Sequence, residues 1–306
     1  MKLISVVIPV FNEVSLIHEL IKRVKQNLKL ITDDFDIIVV DDGSQDQTWN
    51  AIELETKMEK RIKGIKFSRN FGHHYAITAG ISASASEWVV IMDGDLQDRP
   101  EVIPELYSKA IQGYDVVFVN RQDRSDSKIY LLFQRIFYVF LNLLTGLNFN
   151  HKQANFSIIS NKVVQAFRQF PDNSRYYMTT VKWLGFNSAT IDAEQGKRFS
   201  GKSSYNLQKR IKLAIDIIIS FSERPLRFAV SLGLLISGSS LLAGFTIIIK
   251  KITTGFSEIG WAGVMVSIFF TTGVVLMVIG ILGVYIGKIF LQVKNRPLYI
   301  IDKKIN

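Results

Sequence analysis

The chain of 306 residues contains no cysteine, which excludes a disulfide framework and a thiolate metal site. Histidine is scarce. His18, His73, His74 and His151 are scattered along the chain, an arrangement that argues against a zinc centre. Two phosphate-binding signatures are also missing: neither G-x-x-x-x-G-K-[ST] nor G-x-G-x-x-G follows the first apolar run, so a phosphate must be held another way. Charge is absent from Phe228 to Ile249 and again from Ile259 to Gly287.

Elsewhere the chain is basic, with a formal net charge of +10 and 48% hydrophobic residues. That combination suits a nucleic acid or an anionic membrane surface. The two uncharged runs decide for the membrane and against nucleic acid, since each exceeds the roughly 20 residues that span a bilayer as a helix. The short linker 250–258 makes 228–249 and 259–287 a transmembrane hairpin. Arg224 and Arg227 precede it, and Lys288, Lys294, Arg296, Lys303 and Lys304 follow, against Lys250 and Lys251 in the linker. The positive-inside bias therefore puts both chain ends in the cytoplasm and leaves 288–306 as a basic cytoplasmic tail. Lys2–Val10 is too short and lacks the cleavage site of a signal peptide. Residues 211–227 read as an amphipathic juxtamembrane helix that Pro225 separates from the first span. Residues 129–149 suit either an interfacial helix or a core helix. Small residues in both spans (Gly233, Gly238, Gly244, Gly273) would permit close helix packing and a homo-oligomer.

Residues 3–120 alternate apolar β-branched runs with helical patterns. Leu3–Val10, Asp36–Val40, Trp88–Met92 and Asp115–Val119 read as buried strands, and Ser15–Leu28, Thr48–Lys60, His73–Ser84 and Pro100–Ala110 as helices. The expected fold class is α/β: a Rossmann-like, mostly parallel sheet covered on both faces, in a cytoplasmic domain over 1–210. Ligands of such sheets bind beyond the carboxyl ends of the strands. The polar clusters Phe11-Asn12-Glu13, Asp41–Thr48 and Asp93–Asp98 all follow strands.

Asp93-Gly94-Asp95 supplies hard oxygen ligands for Mg²⁺ or Mn²⁺, shared with a substrate diphosphate, and Gln97 adds a neutral oxygen. Acidic turns after strands are common, so this motif alone is weak. Asp41-Asp42-Gly43-Ser44 at another strand end strengthens it. There Asp42 could accept from a base or ribose, and Gly43 permits a tight turn. Asp46 and Thr48 suit capping of the next helix. Asp98 is expected to start the helix at Pro100, and His73 and His74 either to begin a helix or to contact a donor.

Taken in order, "VVIPVFNE", "VVDDGSQDQT", "RNFG", "MDGDLQD" and "RFSGKSSY" (198–205), followed by the hairpin, resemble the family-2 glycosyltransferases of GT-A fold, and within them the polyprenyl-phosphate glycosyltransferases. The resemblance runs over essentially the whole chain. It implies transfer of a sugar, with inversion, from a UDP- or GDP-linked donor to a polyprenyl phosphate of undecaprenyl type. It further implies the cytoplasmic leaflet of a bacterial inner membrane, for cell-surface glycan or lipopolysaccharide modification. By the same resemblance Pro9, Phe11, Glu13 and Asp42 contact the nucleoside. Asp93, Gly94, Asp95 and Gln97 hold metal and diphosphate, with Asp95 catalytic. Arg198 opens a loop that closes over the phosphates and includes Gly201, Ser203 and Tyr205. Arg121, with Arg124 and Arg135, meets the lipid phosphate, as do Ser203 and Tyr205.

Two positions depart from the family pattern. Asn155 stands where relatives carry the aspartate proposed as catalytic base, and Ser204 where they usually carry lysine, with Lys202 two residues earlier. An amide cannot take a proton, but a phosphate monoester has a second pKa of about 6 and is largely dianionic at neutral pH. Such an acceptor needs orientation more than deprotonation, which Asn155 could provide. Two alternatives stay open. One is a catalytically silent nucleotide-sugar-binding or scaffold protein. The other is a processive polysaccharide synthase, although no Q-x-x-R-W occurs and "TTVKWLGF" (179–186) lacks the arginine.

Overall fold

A computed structural model describes residues 1–122, 138–139, 141–146, 150, 152–172, 175–194, 196, 215–254 and 260–306. Among the described residues eight strands form one sheet: β1 (Lys2–Val10), β2 (Phe35–Asp41), β3 (Ile62–Phe67), β4 (Ser86–Ile91), β5 (Val116–Gln122), β6 (Gln153–Ser160), β7 (Ser188–Glu194) and β8 (Ile301–Ile305). Their order is β7-β5-β6-β4-β1-β2-β3-β8. Strands β4, β1, β2 and β3 are parallel neighbours. Strand β6 runs antiparallel between β4 and β5, and β7 rejoins β5 in parallel. The sheet is thus mostly parallel but mixed, and β3, β6, β7 and β8 add to the four strands expected.

The central strands read as continuous apolar runs because both of their faces are covered. Every residue of β2 is buried, and so is β1 from Ile4 onward. One face is covered by α1 (Ile17–Leu28), α2 (Thr48–Met58) and α4 (Ile103–Ala110), the last preceded by a 3₁₀ turn at Pro100–Val102. In α1 the buried residues Ile17, Leu20, Ile21, Val24 and Leu28 recur at three- and four-residue spacing, a single stripe facing the sheet. Burying each such side chain contributes about 1.5–3 kcal/mol. The other face carries α3 (His73–Ala83), α5 (Asn161–Gln169) and α6 (Tyr177–Trp183). Helix α3 lies so close to β1 that a Cβ on Gly80 would come within 2.2 Å of Val7 Cγ1.

The chain divides into two units: 1–142, 147–209 and 296–306 form the first, and 143–146 with 210–295 the second. Residues 288–306 are therefore more than a tail. They finish a helix, and β8 then pairs antiparallel with β3 at the sheet edge, where Tyr299 stacks on Phe67 at 4.9 Å. In the second unit the chain is helical over 215–221 and leaves the helix at Ser222–Glu223. It then enters α7 (Arg224–Thr254), with Pro225 in the first turn, where a missing N–H costs nothing. Helix α8 (Trp261–Val293) follows. Tyr285 donates to the Ser222 carbonyl at 2.8 Å, and Lys288 pairs with Asp216 at 3.1 Å. Arg224–Thr246 and Gly263–Val293 are long and apolar enough to cross a membrane. Their apolar side chains, Leu234, Leu241, Phe245, Phe269 and Leu276 among them, are exposed, unlike those of a soluble core helix.

Candidate active site

The carboxyl ends of β1, β2, β4 and β5 open on one edge of the sheet, and antiparallel β6 brings its first residues to the same edge. Pro9 sits in β1 past the last β4 pair, Val7–Ile91, so no ladder bond to β4 is lost through its missing N–H. Phe11 follows with 41% of its surface exposed. Asn12, at φ 56°, accepts from Gln45 N at 3.0 Å and donates its own N–H to Ser44 Oγ at 2.9 Å. Glu13 N donates to Thr48 Oγ1 at 2.9 Å, which stitches the β1 loop to the β2 loop. Asp46 accepts from Thr48 N at 3.0 Å and from its hydroxyl at 2.5 Å at the start of α2.

Asp42 is 3% exposed. Its carboxylate accepts from Phe71 N at 2.7 Å and from Gly72 N at 2.9 Å, so its visible task is to hold the Arg69–Gly72 loop. Burial raises its pKa despite those donors. Beside it, Gly43 adopts φ +73° with the Arg69 carbonyl carbon 2.3 Å from where a Cβ would stand. That loop delivers His73 to the first turn of α3.

The residues after β4 form the charged centre. Asp93 Oδ1 lies 3.2 Å from His73 Nε2 and Oδ2 lies 3.8 Å from Arg121 Nη2. Asp93 Oδ1 is a buried oxygen with no hydrogen-bond partner beyond this close contact with the His73 ring. Asp98 is 3% exposed, accepts from Asp93 N at 3.0 Å and pairs with Arg121 Nη2 at 3.0 Å. It therefore does not start the helix at Pro100, where Arg99 precedes the turn and makes no side-chain cap. Burial is most of the reason: it makes an arginine partner worth more to Asp98 than a cap, and one guanidinium from the end of β5 there meets two carboxylates of the loop after β4. Burial and the neighbouring Asp93 charge push the Asp98 carboxyl up to about 7. For Asp93, burial is outweighed by His73 and Arg121, which hold its carboxyl below the ordinary range. Burial would lower the His73 pKa, but Asp93 raises it above the usual value. Asp95 Oδ1 accepts from Gln97 N at 3.1 Å, and Gln97 O accepts from Gly196 N at 2.9 Å.

Arg121 thus sits inside the carboxylate cluster, with 19% of its side chain exposed. Asn155 joins the cluster from β6, its Nδ2 3.4 Å from His73 Nε2. The ring reaches both Asp93 and Asn155, so His73 begins a helix and belongs to the site as well, a link the sequence signals only by its place after the Asn70-Phe71-Gly72 loop. His74 is different: burial and then His73 lower its pKa to about 3, and its ring meets Tyr176 edge-on at 5.4 Å. Arg124, Arg135, Arg198, Ser203 and Tyr205 lie outside the described residues, as does most of 129–149.

Among the described residues no three His, Asp or Glu side chains converge as a metal cage. The donors after β4 fit a shared cation instead: hard carboxylate oxygens, one of them buried with no partner beyond the His73 ring, on a loop at the strand end.

The chain with this acidic sheet edge belongs to glycosyl transferase family 2, whose model matches residues 5–168. It is a glycosyltransferase of GT-A fold. It is 33% identical over 300 residues to the uncharacterized glycosyltransferase YkcC of Bacillus subtilis, covering 98% of this chain and 93% of that one. It is 35% identical over 301 residues to the SfII prophage-derived bactoprenol glucosyl transferase of Shigella flexneri, covering 98% and 97%. Among solved structures, the mannosyltransferase PcManGT of Pyrobaculum calidifontis, in complex with GDP-Man and Mn²⁺, superposes with a TM-score of 0.52 at 16% identity. That match covers 74% of this chain and 64% of the other, and establishes the fold.

Proposed function

We propose that the protein transfers a sugar from a UDP- or GDP-linked donor to the phosphate of an undecaprenyl-type lipid at the cytoplasmic leaflet of a bacterial membrane, with inversion at the anomeric carbon. The observation that carries this reading is the meeting of Asp93, Arg121, His73 and Asn155 at the sheet edge of a family-2 chain that also carries two membrane-length helices. The near full-length likeness to a bactoprenol glucosyl transferase supports the acceptor class.

The donor lies over the loops after β1 and β2, with Pro9, Phe11, Glu13 and Asp42 at its nucleoside and Asp93, Gly94, Asp95 and Gln97 at its diphosphate. Arg198 and the 198–205 loop complete the diphosphate side. Asp93, Asp95 and Gln97 would hold Mg²⁺ or Mn²⁺, which would supply positive charge to the leaving diphosphate. A lipid phosphate oxygen, already anionic, forms the new bond to the anomeric carbon as the bond to the nucleotide oxygen breaks and the nucleoside diphosphate departs. Asn155 orients that oxygen or the sugar. Arg121 keeps the carboxylate cluster charged and compact, and Arg124, Arg135, Ser203 and Tyr205 complete the acceptor side. Proximity and charge neutralisation supply the rate.

Turnover of the full chain with undecaprenyl phosphate and labelled UDP-glucose or GDP-mannose tests the proposal. A lipid-linked radiolabelled product is expected. No product with either donor, at a protein concentration that binds nucleotide sugar, would favour a silent binding protein.

A further inference from the structure

Strand β6 changes register at the site. Its pairing with β5 runs from Phe118↔Ser157 to Asn120↔Gln153, so Ala154, Asn155 and Phe156 stand opposite Val119 alone. Bulges of this kind beside active sites re-aim a side chain. On its other side β6 pairs with β4 only as far as Ile91↔Ser157. Asn155 therefore projects from a stretch of strand that the regular ladder supports poorly, and something else must fix its peptide.

That support comes from within the core. Ser157 Oγ donates to the Asn155 carbonyl at 2.7 Å, and the same oxygen lies 2.7 Å from the Tyr177 hydroxyl. A serine has one proton and a carbonyl can only accept, so the Tyr177 hydroxyl must donate to Ser157. The direction of the chain is thus set: Tyr177 to Ser157 to the Asn155 carbonyl. Both Ser157 and Tyr177 have no exposed surface. Burial pushes the Tyr177 phenol pKa up, which keeps the donor protonated. Phenylalanine and alanine at these positions would fill much the same space without desolvating two hydroxyls. What the polar pair adds is an oriented link from α6 to the peptide of Asn155.

We propose that Ser157 and Tyr177 are positioning residues that hold the Asn155 side-chain amide beside His73 for the transfer step. The proposal rests on the reading that Asn155 serves that transfer. A double-mutant cycle on the full chain tests it, with undecaprenyl phosphate and whichever of UDP-glucose or GDP-mannose the parent turns over. Tyr177→Phe should lower kcat about tenfold, the effect of one lost oriented hydrogen bond, with the donor KM nearly unchanged. In the Asn155→Ala background the same substitution should cost no further turnover. An equal loss in both backgrounds means a merely structural tyrosine and overturns the proposal, as does an unchanged kcat in Tyr177→Phe. If Tyr177→Phe fails to fold, Ser157→Ala enters the same cycle with the same expectations. Full turnover in Asn155→Ala alone would instead remove the role assigned to Asn155, a separate failure visible before either partner is changed.

Discussion

Arg121 and Asp98 form a part-buried ion pair, Nη2 to Oδ1 at 3.0 Å, that joins the end of β5 to the loop after β4. The same nitrogen lies 3.8 Å from Asp93, so one guanidinium balances two carboxylates. Removing one partner of such a pair is costly because the other charge stays buried and unpaired. Arg121→Met should therefore destabilise the first unit, by less than the ~3–5 kcal/mol of a fully buried pair because Arg121 is 19% exposed and Asp98 can take up a proton, and Asp98→Asn in the same chain should recover part of the loss. Denaturant titration of the single and double variants checks this. A fully stable Arg121→Met with a raised KM for lipid would return Arg121 to the role of a free acceptor-phosphate receptor.

Asp95→Ala should lower metal-dependent turnover by at least about a hundredfold, since charge on the departing diphosphate would go unneutralised. The comparison is made across a Mn²⁺ titration and again with chelator. Activity equal to the parent's with metal chelated would remove Asp95 from the site.

Gly43 occupies a backbone region that a side chain enters only with strain, and its absent Cβ leaves room for Arg69. Gly43→Ala should cost about 1–3 kcal/mol and shift the Arg69–Gly72 loop that Asp42 holds. Thermal melting reads the first effect, and nucleotide binding by calorimetry reads the second. A variant with unchanged melting would mean that the loop has another packing available.

Glu59 gives a pH dependence away from the site. Hydrogen bonds from Arg61 and then from Lys25 lower its pKa from 4.5 to about 2. A carboxyl depressed in the folded state binds its proton more weakly there than in the unfolded chain. Its stabilising contribution is therefore present above about pH 4.5 and lost as pH falls toward about 2. Glu59→Gln should be less stable than the parent at neutral pH, and the gap should close between those values. Chemical denaturation over that pH range checks the sign, and a gap that widens on acidification would contradict it.

Much of the site could be read from order and position along the chain. Asp42, Asp93, Asp95 and Gln97 follow apolar runs, and such runs end at the binding edge of a parallel sheet. The roles of Asp98 and Arg121 could not be read this way. Asp98 looks like a helix starter because Pro100 is two residues on, and only its burial beside a β5 arginine gives it another partner. His73 stays between a helix start and a donor contact for a similar reason: its neighbours in sequence are helical, while its neighbours in space follow β4 and come from β6. Strand β3, with Lys63 and Lys66 interrupting its apolar residues, and the exposed strand β8 carry too little apolar signal to stand out.

Local periodicity alone was enough to set the central strands, the helices between them, the two membrane-length segments and the acidic edge, because burial on both faces or in lipid selects apolar residues over a contiguous stretch. The reversed direction of β6, the return of 296–306 to the sheet edge, and the meeting of Arg121, Asp98 and His73 around Asp93, with Asn155 beside His73, depended on the folded chain. Those relationships join residues far apart in sequence through hydrogen bonds and buried charge, whose energies depend on distance and desolvation rather than on any repeating pattern along the chain.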